Sequence, residues 1–207
     1  MIAIIDYGVG NLFSLQSSFA AIGAEVIVTA DPAVLAAADG IVLPGVGAFE
    51  DAAAKLCATG LDQTLVSLAA AGKPLLGICL GMQMLFEKSY EYGEHQGLGL
   101  IGGSVDYIGK AIPAGLKIPH IGWNALHFEK KHALFKYIKE GDCVYFVHSY
   151  AGVNCPDAIA TTEYGATLTA AVARGNVMGC QFHPEKSGKV GLAILKAFSE
   201  MKEGEIC

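Results

Sequence analysis

Through the first half of the chain, short apolar runs alternate with segments whose apolar positions recur at helical spacing. Residues 2–6, 25–28, 40–43 and 75–78 are rich in Ile, Val and Leu and are bounded by Gly, Pro or polar residues, so they read as strands. Residues 12–22, 32–38, 50–57 and 61–71 read as helices between them, and a further helix is expected over 80–87. Strands without a polar face must be covered on both sides. The order therefore predicts a mixed, mostly parallel central sheet with helices on both faces. After Leu98 the pattern changes. Residues 105–108, 125–128, 144–148, 158–162 and 169–173 read as short strands with Gly or Asn turns, an antiparallel or mixed extension. An apolar run over 176–182 then leads to a closing helix over 188–201. No repeat, low-complexity segment or linker divides the chain. The expected architecture is one α/β domain over 1–207, with its site at the C-terminal ends of the parallel strands.

Composition narrows the class. The chain is 53 % hydrophobic, but its charge-free stretch 7–24 carries Asn11, Ser14, Gln16, Ser17 and Ser18, which excludes a membrane span. Met1-Ile2-Ala3-Ile4-Ile5 is too short for a signal segment, so the cytoplasm is the expected compartment. Six cysteines fall in no framework spacing and are expected to be reduced, and the six histidines form no ligand pattern, so no metal is expected. A net charge of −6 offers no basic face for nucleic acid. Gly8-Val9-Gly10 lacks the third glycine of a dinucleotide fingerprint, since Phe13 stands there, and no cofactor is expected.

Chemistry concentrates in two segments. Gly77-Ile78-Cys79-Leu80-Gly81 lies where an apolar strand meets a helix, the setting of a nucleophile elbow with a thiol. Such a corner needs small residues two positions away on either side and sets the sulfur beside a helix N-terminus, which favours the thiolate. Gln181-Phe182-His183-Pro184-Glu185 ends a second apolar run. If that segment is extended, with Pro184 holding it so, His183 and Glu185 point the same way. A nucleophile, a base and a carboxylate that orients the base make up the logic of covalent acyl transfer.

Together these motifs resemble the class I, triad-type glutamine amidotransferases, which hydrolyse the side-chain amide of glutamine to deliver ammonia. Four more segments are similar to one branch of that family: Asp6-Tyr7-Gly8-Val9-Gly10-Asn11, Pro44-Gly45-Val46-Gly47-Ala48-Phe49, Pro119-His120-Ile121-Gly122-Trp123-Asn124 and Tyr145-Phe146-Val147-His148-Ser149-Tyr150. That branch comprises glutaminase subunits paired as heterodimers with a (β/α)₈-barrel synthase subunit of histidine biosynthesis. The synthase uses the ammonia to make imidazole glycerol phosphate and an aminoimidazole carboxamide ribotide. Sister branches commonly carry His where Met82 stands and lack the segment beginning at Pro119.

The resemblance implies roles for particular residues. Cys79 attacks the glutamine carbonyl, His183 moves the proton and Glu185 orients His183. The backbone N–H of Leu80 and one from the loop at Val46 and Gly47 form the oxyanion hole. That loop is expected to swing into place only in the assembled complex. Gly45, Gly47 and Gln83 line the glutamine pocket, Glu91 accepts from the α-amino group, and the backbone at Ser149 and Tyr150 holds the α-carboxylate. Asn11, Trp123, Tyr145 and Lys186 face the partner. Two rival readings stay open. One keeps the triad but serves another acceptor, in pyridoxal phosphate, anthranilate or guanine nucleotide synthesis. The other is a non-catalytic redox or chaperone-like α/β protein in which Cys79 is only a reactive thiol.

Overall fold

Twenty regular elements follow one another in the computed structural model, which describes residues 1–202. The first part runs β1 (Ile2–Ile5), α1 (Leu12–Ala21), β2 (Val26–Thr29), α2 (Pro32–Ala37), β3 (Gly40–Leu43), α3 (Phe49–Ala58), α4 (Leu61–Ala70), β4 (Leu75–Ile78) and α5 (Leu80–Leu85). The middle is made of strands with two short 3₁₀ turns between them: β5 (Phe86–Ser89), β6 (His95–Gln96), β7 (Ile101–Tyr107), β8 (His120–Ala125), β9 (His127–Phe128), β10 (Cys143–His148) and β11 (Tyr150–Val153). β12 (Ala158–Glu163), β13 (Thr167–Arg174), β14 (Val177–Cys180) and α6 (Gly188–Ser199) close the chain.

The central sheet has the order β2-β1-β3-β4-β14-β13-β12-β9. Its first five strands pair in parallel, and from β14 onward the pairing is antiparallel. Alternation along the strands divides the core. Ile2, Ile4, Val42, Leu76 and Ile78 pack toward Leu15 and Phe19 of α1 and Ile194, Leu195 and Phe198 of α6. Ala3, Ile5, Ile41, Leu43 and Leu75 pack on the opposite face against Leu35, Phe49, Leu56, Leu61 and Leu65 of α2–α4. The expected mixed, mostly parallel sheet with helices on both faces is thus the observed one. Among the described residues, no helix is long and apolar enough to cross a membrane.

Several boundaries differ from expectation. The helix expected over 80–87 stops at Leu85, because Phe86 is fully buried and starts β5, in a separate four-stranded sheet ordered β11-β7-β5-β6. The strand expected over 125–128 is broken at Leu126, whose N–H and C=O turn to Asp142 and Gly141 while its side chain is buried. β8 lies upstream of that break and pairs with β10 as a hairpin-like ribbon outside the central sheet. Residue Ile108, expected in a strand, begins a 3₁₀ turn instead. Five cysteines are free thiols, and Cys207 lies outside the described residues.

Candidate active site

β4 ends at Ile78, and Cys79 takes φ 54° and ψ −110° before α5 begins at Leu80. Such a backbone costs a non-glycine residue of the order of 1–3 kcal/mol, a strain that concentrates at functional sites. The surroundings hold it there. The Cys79 N–H donates to the Cys180 carbonyl at 2.7 Å, extending the β4–β14 pairing by one residue. Both flanking glycines are needed for packing: a Cβ on Gly77 would stand 2.7 Å from the Gly81 oxygen and the Met82 backbone, and one on Gly81 would overlap the Leu43 carbonyl. Leu80, the first residue of α5, carries one of the backbone N–H groups that a helix start leaves unpartnered.

His183 follows β14, and its N–H donates to the Tyr145 carbonyl at 2.9 Å. The pairing of His183 with Glu185 arises differently from the sequence expectation. Pro184–Lys186 forms a 3₁₀ turn rather than an extended segment, and this turn brings Glu185 Oε1 to 2.8 Å from His183 Nδ1. Proline suits the first position of that turn, having the right φ and no N–H to satisfy. Both side chains are buried. Burial alone would push the imidazole down. Hydrogen bonding and charge from Cys79 and Glu185 outweigh it, and His183 is pushed up to about 9. At neutral pH the ring therefore holds the proton.

A cavity of about 630 Å³ opens over Cys79. Val46, Gly47, Leu80, Gln83, Glu91, Ser149, Tyr150, His183 and Lys186, all singled out from the sequence, line it. Glu91, with little in its sequence neighbourhood to distinguish it, is half-buried and accepts the Phe49 N–H at 2.8 Å. Burial raises its carboxyl, and the bond from Phe49 works against that rise. Gly45, at the start of the loop that carries Val46 and Gly47, packs behind Leu80, where a Cβ would meet the Gly81 nitrogen at 2.6 Å and the Leu80 Cβ at 2.9 Å. The start of that loop is pinned by Tyr7, whose hydroxyl donates to the Pro44 carbonyl at 2.7 Å.

Trp123 is 57 % exposed and meets Tyr145 edge-on across the β8–β10 pair, at 6.1 Å between ring centroids. It is therefore a surface residue. Asn11 caps α1, its side chain accepting the Ser14 N–H, a structural task that the sequence reading does not assign to it. Gln181 is a residue that the sequence reading misses. It is fully buried, and its Nε2 lies 3.8 Å from the Cys79 sulfur. Its position two residues before His183 is the available signal. Among the described residues, no three His, Cys, Asp or Glu side chains converge as a metal-binding group.

The chain matches the family model described as glutamine amidotransferase class-I over residues 3–200. It is 50 % identical over 206 residues to the imidazole glycerol phosphate synthase subunit HisH of Syntrophotalea carbinolica, covering 97 % of this chain and 100 % of that one. The protein of the same name from Moorella thermoacetica is 50 % identical over 202 residues, covering 97 % and 94 %. Among solved structures, one described as a glutamine amidotransferase superposes with a TM-score of 0.74 at 17 % identity, covering 96 % of this chain and 99 % of that one. The PurLQS structure from Thermotoga maritima gives 0.72 at 19 %, covering 95 % and 96 %. At such identities these structures speak to the fold alone.

Proposed function

The chain belongs to the class I glutamine amidotransferases, and we propose from that premise that it is the cytoplasmic glutaminase subunit of an imidazole glycerol phosphate synthase in histidine biosynthesis. What carries this reading is the Cys79–His183–Glu185 constellation, set in a chain half identical over nearly its full length to subunits of that name.

Cys79 gives its proton to His183 and attacks the δ-carbonyl of glutamine, forming a tetrahedral intermediate whose oxyanion meets the Leu80 N–H and a second donor from Val46 or Gly47. Glu185 holds Nδ1 of His183 and leaves Nε2 to work with the sulfur. His183 delivers its proton to the departing ammonia, and water then hydrolyses the γ-glutamyl thioester. Glu91, half-buried at the cavity wall, takes the substrate ammonium, and the backbone at Ser149 and Tyr150 takes its carboxylate. Gln83 lines the same pocket. Trp123, Tyr145, Lys186 and Asn11 lie on the side that receives the partner, a (β/α)₈-barrel synthase subunit forming a heterodimer with this chain.

The test is to combine the chain with an imidazole glycerol phosphate synthase barrel subunit, its nucleotide precursor and glutamine. Glutamate release is expected to match formation of imidazole glycerol phosphate one to one. Matching instead with a synthase for pyridoxal phosphate, anthranilate or guanine nucleotide would move the chain to another branch, and no glutamate with any of them would remove it from the enzymes.

The His183 shift sets a pH dependence. Below about 9 the ring carries the proton needed by the leaving amine, and above it that proton is lost. We therefore expect kcat/KM for glutamine, measured in the assembled complex, to fall on the alkaline side with an apparent pKa near 9. A profile still rising at pH 10 would mean that another group protonates the leaving amine.

A further inference from the structure

Two buried histidines, His120 and His148, face each other on the inner side of the β8–β10 pair and have no part in the chemistry above. His120 lies stacked between Phe146 and Tyr164, with ring centroids at 4.9 and 4.1 Å, so its ring plane is fixed. Its Nδ1 is 3.0 Å from His148 Nε2, and His148 Nδ1 is 2.8 Å from the Tyr150 carbonyl oxygen. A carbonyl only accepts, so His148 carries its proton on Nδ1. Burial, chiefly, holds that ring down to about 4, with the nearby His120 and His183 acting the same way against the bond to Tyr150. The neutral ring's Nε2 then accepts, and His120 donates from Nδ1.

The same Tyr150 carbonyl accepts from Gln83 Nε2 at 3.0 Å, and Gln83 Nε2 also donates to Gln181 Oε1 at 3.0 Å. With its oxygen turned to Gln83, Gln181 presents its Nε2 to Cys79 Sγ. Flipping either amide would set donor against donor or acceptor against acceptor, so the orientation at the sulfur is dictated from the far end. We propose that His148, held by His120, is a positioning residue for the nucleophile: its bond to the Tyr150 carbonyl fixes the Gln83 amide, and through it the Gln181 N–H on the Cys79 sulfur. A donor on the sulfur favours thiolate over thiol. The proposal rests on Cys79 being the nucleophile.

The experiment follows alkylation of Cys79 by iodoacetamide against pH in the full chain, locating the label by peptide mapping and checking folding by circular dichroism. His148→Leu is expected to slow labelling at pH 7 about tenfold and to move the profile to higher pH, the effect of losing a hydrogen bond to a charged group. In His148→Asn the side-chain N–H can take the place of Nδ1–H, and labelling should return to within about threefold of the unaltered chain. Gln181→Met removes the last donor at similar volume and should reproduce the shift even if His148→Leu fails to fold. The relay is overturned if Gln181→Met labels like the unaltered chain, or if a folded His148→Asn labels no faster than a folded His148→Leu. If Cys79 of the unaltered chain labels no faster than the exposed Cys57 and Cys143, the nucleophile assignment fails instead, and the relay with it.

Discussion

Replacing Cys79 with alanine is expected to lower glutamate release from glutamine by about 10⁵–10⁶-fold, the scale seen when a hydrolase loses its nucleophile. Synthesis by the complex from ammonium salts at raised pH should continue. On the proposed function the two readouts part, because the partner would consume ammonia and not the thioester. The substitution removes only the sulfur: alanine keeps the Cβ at φ 54°, the Gly77 and Gly81 contacts are unaltered, and the N–H bond to Cys180 remains. Folding and docking should therefore survive, which thermal melting and co-purification with the barrel subunit would check. A glutamine-analogue electrophile should label one peptide, that containing Cys79. Labelling at Cys57 or Cys180, or appreciable turnover without Cys79, would defeat the triad assignment. Loss of the ammonium-dependent reaction as well would give Cys79 a structural role.

The elbow is legible in the sequence because its demands are local. Two glycines around a cysteine at a strand end mark a corner too tight for any Cβ beside it. The backbone angle at Cys79 and the crowding at Gly77 and Gly81 are the physical content of that pattern. The parallel strands are legible for a similar reason: four-residue runs such as Ile2–Ile5 and Leu75–Ile78 are buried on both faces and have no polar alternation to mislead. The smaller sheet is not. β5 and β6 are four and two residues long, and Gly102 and Gly103 disguise the start of β7, so no period develops before the strand ends. His183 and Glu185 pair as expected but on a different backbone, since spacing of two places side chains together in an extended segment and also, as here, around a 3₁₀ turn.

Residues whose role depends on distant partners leave no local trace. Glu91 is brought to the cavity by the small sheet and fixed there by Phe49, 42 positions away. Tyr7, just after β1, holds the Pro44 carbonyl just after the neighbouring β3, 37 positions away, and Gln181 meets Gln83 from 98 positions away. Besides its spacing from His183, the hint for Gln181 is a glutamine at the end of an apolar run, because such an amide, once buried, must find partners.

The isolated chain should bind glutamine yet hydrolyse it slowly, with the ligand-loaded barrel subunit raising turnover mainly through kcat. The loop from Pro44 to Ala48 explains why. It is tied at one end by Tyr7 on the Pro44 carbonyl and at the other by Glu91 on the Phe49 N–H. Gly45 is wedged against Leu80 and Gly81, so peptide rotation is confined to Val46 and Gly47. Val46 is 45 % exposed, and Gly47 has φ +95° with open space where a Cβ would stand. A donor that rotates in only on assembly acts on the oxyanion and not on bound glutamine, so KM should change little. One oxyanion donor accounts for about 10²–10³-fold, and a larger stimulation would require Cys79 or His183 to move as well. Gly47→Val is the cleaner probe, since a Cβ there meets nothing within 4 Å and the φ of +95° is one that a β-branched residue resists. Gly45→Val would instead disrupt the elbow by collision. From the worth of one donor, we expect Gly47→Val to blunt the stimulation by about tenfold or more, with unchanged glutamine binding by calorimetry. If the isolated chain already runs at the rate of the complex, or if Gly47→Val is stimulated in full, the loop is not the switch and control must lie in the placement of the triad itself.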